Sequence, residues 1–287
     1  MRKIVLILFS ALLLAYGCSS KKRSEEVITV ASLNLRLDTT LIDSSFIWSD
    51  NAMPVYDLFQ EKEYDLLGLQ YVSSEQLKTI DSVLTSYEVA GNGGVDGKKE
   101  GVMNPLFYKR DKFDMVRTKT FWLFETPDSV ESELLNTAIS HMLTWIELVD
   151  KKTQEHLFFF NTSFPEGSNS ALLECANILL RAVDSISMGN KFVIAGDFGM
   201  RRGNAAYEKI VGPYESIPMC ADTYVACTYE GIDFFRKITR GLYINKTKDF
   251  VFVRNGMAVN NFDILEIMGT KYFLSVPWVL ESEIVLK

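Results

Sequence analysis

Two hydrophobic periods alternate along the chain. Runs rich in β-branched and aromatic residues recur between polar turns, at 26–35 (EVITVASLNL), 64–72 (YDLLGLQYV), 104–110, 113–124, 141–149, 156–164, 191–198 (KFVIAGDF), 249–255 and 276–286. Their composition and bounding turns are those of strands. Other segments carry a helical period. Residues 73–84 open on a capping box, Ser73 with Gln76, and bring Leu77, Ile80 and Leu84 to one face. Residues 171–186 set Leu172, Ala176, Leu179, Val183 and Ile186 at the same spacing, and a third helix is predicted over 52–63. Early strands alternate with helices and later ones run as hairpins, which predicts mixed sheets with helices outside. No internal repeat or interdomain linker breaks the order.

The first residues follow another logic. A basic MRK precedes an apolar stretch, Ile4 to Tyr16, too short to span a bilayer as a mature helix. It ends in LAYGC, where a small residue precedes a cysteine as in a bacterial lipoprotein signal. The expected divisions are a signal peptide over 1–17, a polar tether over 18–26 beginning at a lipidated Cys18, and one folded domain over 27–287. The competing reading is an ordinary secretory signal cut nearby, with Cys18 incidental. Either way the protein is exported, and the lipid anchor would hold it to a membrane of the bacterial cell envelope.

With 287 residues, 47% of them hydrophobic, the chain can bury one sizeable core. The formal charge of −7 leaves no basic track for a phosphate backbone, so a nucleic-acid partner is not expected. The short basic runs Lys109–Arg110 and Arg201–Arg202 read as solvated turns. Beyond Cys18 there remain Cys175, Cys220 and Cys227, an odd number without metal-knuckle spacing, expected as buried small hydrophobes.

The stretch VIAGDFG, 193–199, contains two overlapping signatures. As DFG it would hold magnesium in a kinase. That chemistry also needs an HRD aspartate, a strand lysine and a glycine loop of GxGxxG spacing. Neither His141 nor His156 precedes Arg-Asp, and GNGGVDGKKEG has the wrong spacing. The informative word is GDF.

Read in order, ASLNLRLD, YDLLGLQYVSSEQL, PLFYKRDKFDMVRTKTFWLFETPD, MLTWIELVDKKTQEHLFFFNTSF, VIAGDFG, KDFVFV and LSVPWVLESEI resemble the endonuclease/exonuclease/phosphatase superfamily in its secreted bacterial branch, from about residue 27 to the end. The resemblance implies an α/β fold, a four-layer α/β/β/α sandwich of two packed mixed sheets with helices outside. It also implies divalent-metal hydrolysis of phosphoesters at one rim. There a carboxylate holds the metal, an aspartate orients water and histidines stabilise developing charge. The C-terminal ends of the ASLNL, LGLQY and VIAGDF strands should meet at that rim.

Matched position by position, Asn34, Gln70, Asp197 and Asp249 retain the family residue. Tyr108 matches a strand tyrosine able to face the pocket. The metal-binding glutamate is replaced by Tyr71, and Glu75 falls within the predicted helix. His141 stands where the family has an arginine, Ser163 where it has a histidine, Gly199 where it has an asparagine, and Val276–Pro277 where it has Asp-His. An aspartate ending a strand, as Asp197 does, has two readings: a cap for the next helix or a polar pocket group. A lone histidine such as His141 is ordinarily structural.

The expected protein is therefore an exported lipoprotein whose phosphohydrolase-like site is degenerate and which binds an unidentified small molecule or protein. The expected pocket is Tyr71, Tyr108, Ser163, Gly199 and Pro277, and no cofactor is expected. The competing reading is an active phosphoesterase rebuilt around Asn34, His141, Asp197 and Asp249, with Mg or Mn. A third is a structural envelope lipoprotein.

Overall fold

The computed structural model describes residues 26–35, 48–93, 101–123, 141–165, 167–227, 241, 243–267 and 278–286, apart from the side chains of 50 and 51. Cys18, Val276 and Pro277 lie outside these residues. The strands are β1 (Glu26–Asn34), β2 (Leu66–Gln70), β3 (Tyr87–Ala90), β4 (Leu106–Lys109), β5 (Phe113–Trp122), β6 (Met142–Asp150), β7 (His156–Ser163), β8 (Lys191–Asp197), β9 (Pro213–Tyr214), β10 (Ile217–Pro218), β11 (Cys220–Asp222), β12 (Asp249–Arg254), β13 (Val259–Glu266) and β14 (Trp278–Leu286). The helices are α1 (Trp48–Lys62), α2 (Ser74–Val83), α3 (Asn169–Ser187), α4 (Ala205–Val211) and α5 (Thr223–Ala226). The first strand takes in Glu26, one residue ahead of the expected domain boundary, and Glu26 is ion-paired to Lys112 and Lys152.

Two six-stranded sheets pack face to face, in the orders β13-β14-β1-β2-β4-β3 and β11-β12-β8-β7-β6-β5. Both are mixed: β1–β2 and β7–β8 are parallel pairs, and β8–β12 is antiparallel. Period-two alternation assigns each strand's faces. In β1, Ile28 and Val30 enter the core between the sheets, whereas Ala31 and Leu33 meet α1 and α2 outside. In β7 and β8, Phe159, Val193 and Ala195 point inward, whereas Phe158, Phe160, Phe192 and Ile194 pack under α3. The three apolar clusters separate four layers, the sandwich expected from the segment order.

Local chemistry explains the helices. The Ser73 side chain accepts from the Gln76 backbone N–H while the Gln76 side chain accepts from Ser73, which closes the capping box on α2. Ser168 caps α3, which buries Leu172, Ala176, Leu179 and Val183. The sheets approach closely at Gly68, where an added Cβ would lie 3.0 Å from both Ala195 Cβ and Asn161 Oδ1. Cys175, Cys220 and Cys227 are buried and unbridged. Burial pushes the first two thiols up to about 12, so neither is a nucleophile at neutral pH.

Candidate functional site

The same alternation that fills the inter-sheet core with Val30, Leu66, Phe159, Val193 and Val251 brings polar residues to the ends of those strands. Asn34, Gln70, Asn161, Ser163, Asp197 and Asp249 continue the inward faces toward one rim. Register joins them: Asn34 lies beside Gln70, Ser163 beside Asp197, and Asp197 beside Asp249. Across the sheets, the Gln70 amide donates to Asn161 Oδ1 at 2.7 Å and to Ser32 Oγ at 3.1 Å. Asn161 in turn donates to the carbonyls of Leu69 and Pro105 at 2.6 and 2.8 Å. Gln70 Oε1 is sealed from solvent and has no hydrogen-bond partner among the described residues.

Asp197 is buried, and both its oxygens accept. Asn34 Nδ2 donates to Oδ2 at 2.7 Å, and the Gly199 N–H donates to Oδ1 at 2.9 Å. It does not cap the following helix; Asn204 caps α4. Gly199 has φ +61°, and a Cβ there would meet the Pro165 carbonyl at 2.5 Å, so the turn excludes a side chain. Asp249 accepts from Thr247 Oγ1 at 3.1 Å, and the Asp249 N–H donates to the same hydroxyl at 3.0 Å.

Tyr71 leaves β2 with φ +57°. Its hydroxyl donates to the Phe164 carbonyl at 3.2 Å, which fastens the end of β2 to the end of β7. Its N–H donates to Asn104 Oδ1 at 3.3 Å, and Asn104 Nδ2 donates to Ser163 Oγ at 2.9 Å and to the Met142 carbonyl at 3.0 Å. His141 directly precedes β6, next to this group. Burial lowers its pKa to about 4, so the imidazole is neutral at physiological pH. Its Nδ1 has no hydrogen-bond partner among the described residues.

Asn34, Tyr71, Ser163, Gly199, Asp197, Asp249 and His141 thus gather at one end. Tyr108 does not. It faces the inter-sheet core as expected, but it pairs with Leu66, four residues back along β2 from Gln70. At about 3.3 Å per residue that puts it roughly 13 Å below the rim. The expectation took the right face and the wrong height.

Two residues important to the site went unmarked in the sequence. Asn104 lies outside a strand, so no alternation signals it. Arg202 is not in a solvated turn. It binds Asp222 through Nε at 2.8 Å and Nη2 at 2.7 Å, and donates from Nη1 to the Ile244 carbonyl at 2.8 Å. Its guanidinium stacks 4.6 Å from the Phe250 ring centroid and 4.9 Å from that of Tyr224. These contacts fix the loop after β8 beside Asp249.

Among the described residues the donor set lacks the glutamate and the histidines that the resemblance implies for a divalent-metal centre. Among the described residues no group of three or more His, Cys, Asp or Glu side chains converges. The two carboxylates that do meet are engaged by Asn34, the Gly199 N–H and Thr247, and a phenol stands at the position of the implied glutamate. Magnesium keeps several waters and is held by one or two carboxylates, so Asp197 and Asp249, adjacent across β8 and β12, are the groups that would hold a cation. The described rim is a largely buried network of amides, hydroxyls and carboxylates hydrogen-bonded to one another.

No protein-family model and no curated protein matches the sequence. Solved structures do match it. An endonuclease/exonuclease/phosphatase from Bacteroides vulgatus is 26% identical with a TM-score of 0.76, over 91% of this chain and 100% of that one. A Bacteroides thetaiotaomicron mannosyl-6-phosphatase is 25% identical with a TM-score of 0.74, over 90% and 100%. A family protein from the same organism is 24% identical with a TM-score of 0.74, over 92% and 99%. The likeness covers 90% to 92% of this chain, which has the fold of the endonuclease/exonuclease/phosphatase superfamily.

Proposed function

We propose that this protein is an exported, lipid-anchored binding protein on a phosphohydrolase-like fold, with a rim that has exchanged metal-dependent hydrolysis for recognition of a small molecule or a protein. The observation that carries the reading is Tyr71. It supplies no carboxylate where the resemblance implies the metal ligand, and its hydroxyl is spent on the Phe164 carbonyl. Asp197 is likewise held by Asn34 and Gly199 rather than presented to a cation. Loss of one charge-stabilising group from such a site lowers rate about a hundredfold to a thousandfold. The histidine positions are filled by Ser163 and, outside the described residues, Pro277.

The competing reading, an active phosphoesterase with Mg or Mn, draws support from the similarity to a mannosyl-6-phosphatase and from the persistence of Asp197 and Asp249. Assays with mannose 6-phosphate and generic mono- and diesters, with magnesium or manganese, separate the two. We expect no metal-dependent turnover above background, and the same trace in Asp197→Ala. Robust hydrolysis abolished by Asp197→Ala would establish the competing reading, with His141 the next residue to replace.

A further inference from the structure

The opposite end of the sandwich carries a concavity. The turn before β7, the turn between α3 and β8, and the turn after β12 border an open cavity of about 480 Å³, with Glu155, His156, Asn190, Lys191 and Arg254 in its wall. β7 and β8 start here and end at the rim, so the strand lengths separate this cavity from Asp197. Three of its polar side chains hold one another or a neighbour. Lys191 Nζ and Glu155 lie 3.0 Å apart. His156 Nδ1 lies 2.7 Å from Glu147, a carboxylate that also binds Arg117.

Arg254 differs. The residue is half-buried, and the hydrogen bond of its guanidinium among the described residues is one long, exposed contact, Nη1 donating to the Asn190 carbonyl at 3.3 Å. No described carboxylate pairs with it. The group carries five N–H donors in a planar fork. Gly189 runs alongside, where a Cβ would come 3.8 Å from Nη1, so no side chain covers the head group from that residue. The α3 carbonyl of Ser187, which would disfavour an anion, already accepts from the N–H and the Nδ2 of Asn190, both at 2.8 Å.

We propose that this cavity binds a small oxyanion, a phosphate or carboxylate group, in the fork of Arg254 with Lys191 alongside. A guanidinium matches two oxygens of such a group with two parallel hydrogen bonds, and charge assistance makes these stronger than neutral ones. The cavity is independent of the rim and of what the rim does.

The test is a titration of the full-length protein in detergent with inorganic phosphate and, separately, with succinate, followed by backbone amide shifts. Saturable shifts are expected at Gly189–Lys191 and Asn255–Met257, with Asn34 and Asp197 unmoved. Response to one anion and not the other identifies the oxyanion class. Arg254→Gln should weaken binding at least about tenfold. Asn255→Asp, on an exposed turn, should weaken it as well, so the proposal stays testable should Arg254→Gln fail to fold. No saturable shift with either anion, or unchanged binding in Asn255→Asp, overturns it.

Discussion

His141 shows how a single half-buried group couples the rim to pH. Its imidazole resists protonation until about pH 4, because burial disfavours the charged form. In the unfolded chain a histidine titrates near 6.5. Between these values the unfolded state binds more protons, so stability falls as pH drops through that window. At about pH 4.5 the loss from this residue is on the order of 2 kcal/mol relative to about pH 7.5. Urea unfolding at the two pH values should show a smaller drop for His141→Gln than for the parent; parallel profiles would exclude the mechanism. The rim residues were legible in the sequence to the extent that strand alternation governs them. Asn34, Gln70, Asp197 and Asp249 sit on inward faces that any period-two count identifies. Asn104 and Arg202 act from loops, where position depends on partners distant in the chain: Ser163 for one, Asp222 and Ile244 for the other. Tyr108 carries the complementary lesson, since alternation gives a residue's face but not its depth below the rim.

Elements with strong local signals were readable, and those made by tertiary pairing were not. The capping box of α2 needs only Ser73, Gln76 and the intervening turn, and it forms as the spacing predicts. Ser73→Ala should therefore lower stability by about 1 kcal/mol, measured as a shift of the urea midpoint at constant slope. An unchanged midpoint would mean that packing of Ile80 and Leu84 alone holds the helix. By contrast β3 has four residues and β11 three, too few for a period to register. β13 reads VNNFDILE, with polar residues on both sides of Phe262, and is a strand because β14 pairs with it over the whole length, bulge included. The short helix α5 likewise follows from Asp222, whose side chain accepts from the Tyr224 N–H.

At the scale of the molecule, the segment order carried the architecture: the parallel pairs β1–β2 and β7–β8 and the antiparallel meander β5–β6–β7 all follow from the alternation of strand and helix periods. The anchor is a separate matter, read from LAYGC alone. Cys18→Ser should shift the protein out of the membrane fraction or arrest its maturation; normal processing with retained membrane association would sink the lipoprotein reading.

The strand that begins the fold would also decide which pole faces outward if the chain is anchored at Cys18. β1 enters at Glu26, paired to Lys152 in the turn before β7, and leaves at Asn34 on the rim. A chain moored at Cys18 has eight residues before Glu26, a leash of at most about 28 Å. The nine residues of β1 then rise about 30 Å from the moored pole to the rim. Such a molecule stands on its Arg254 end and holds Asn34 and Asp197 outward. Were the anchor present, a partner of the rim would approach from the aqueous side, while the lower cavity would look back toward the membrane.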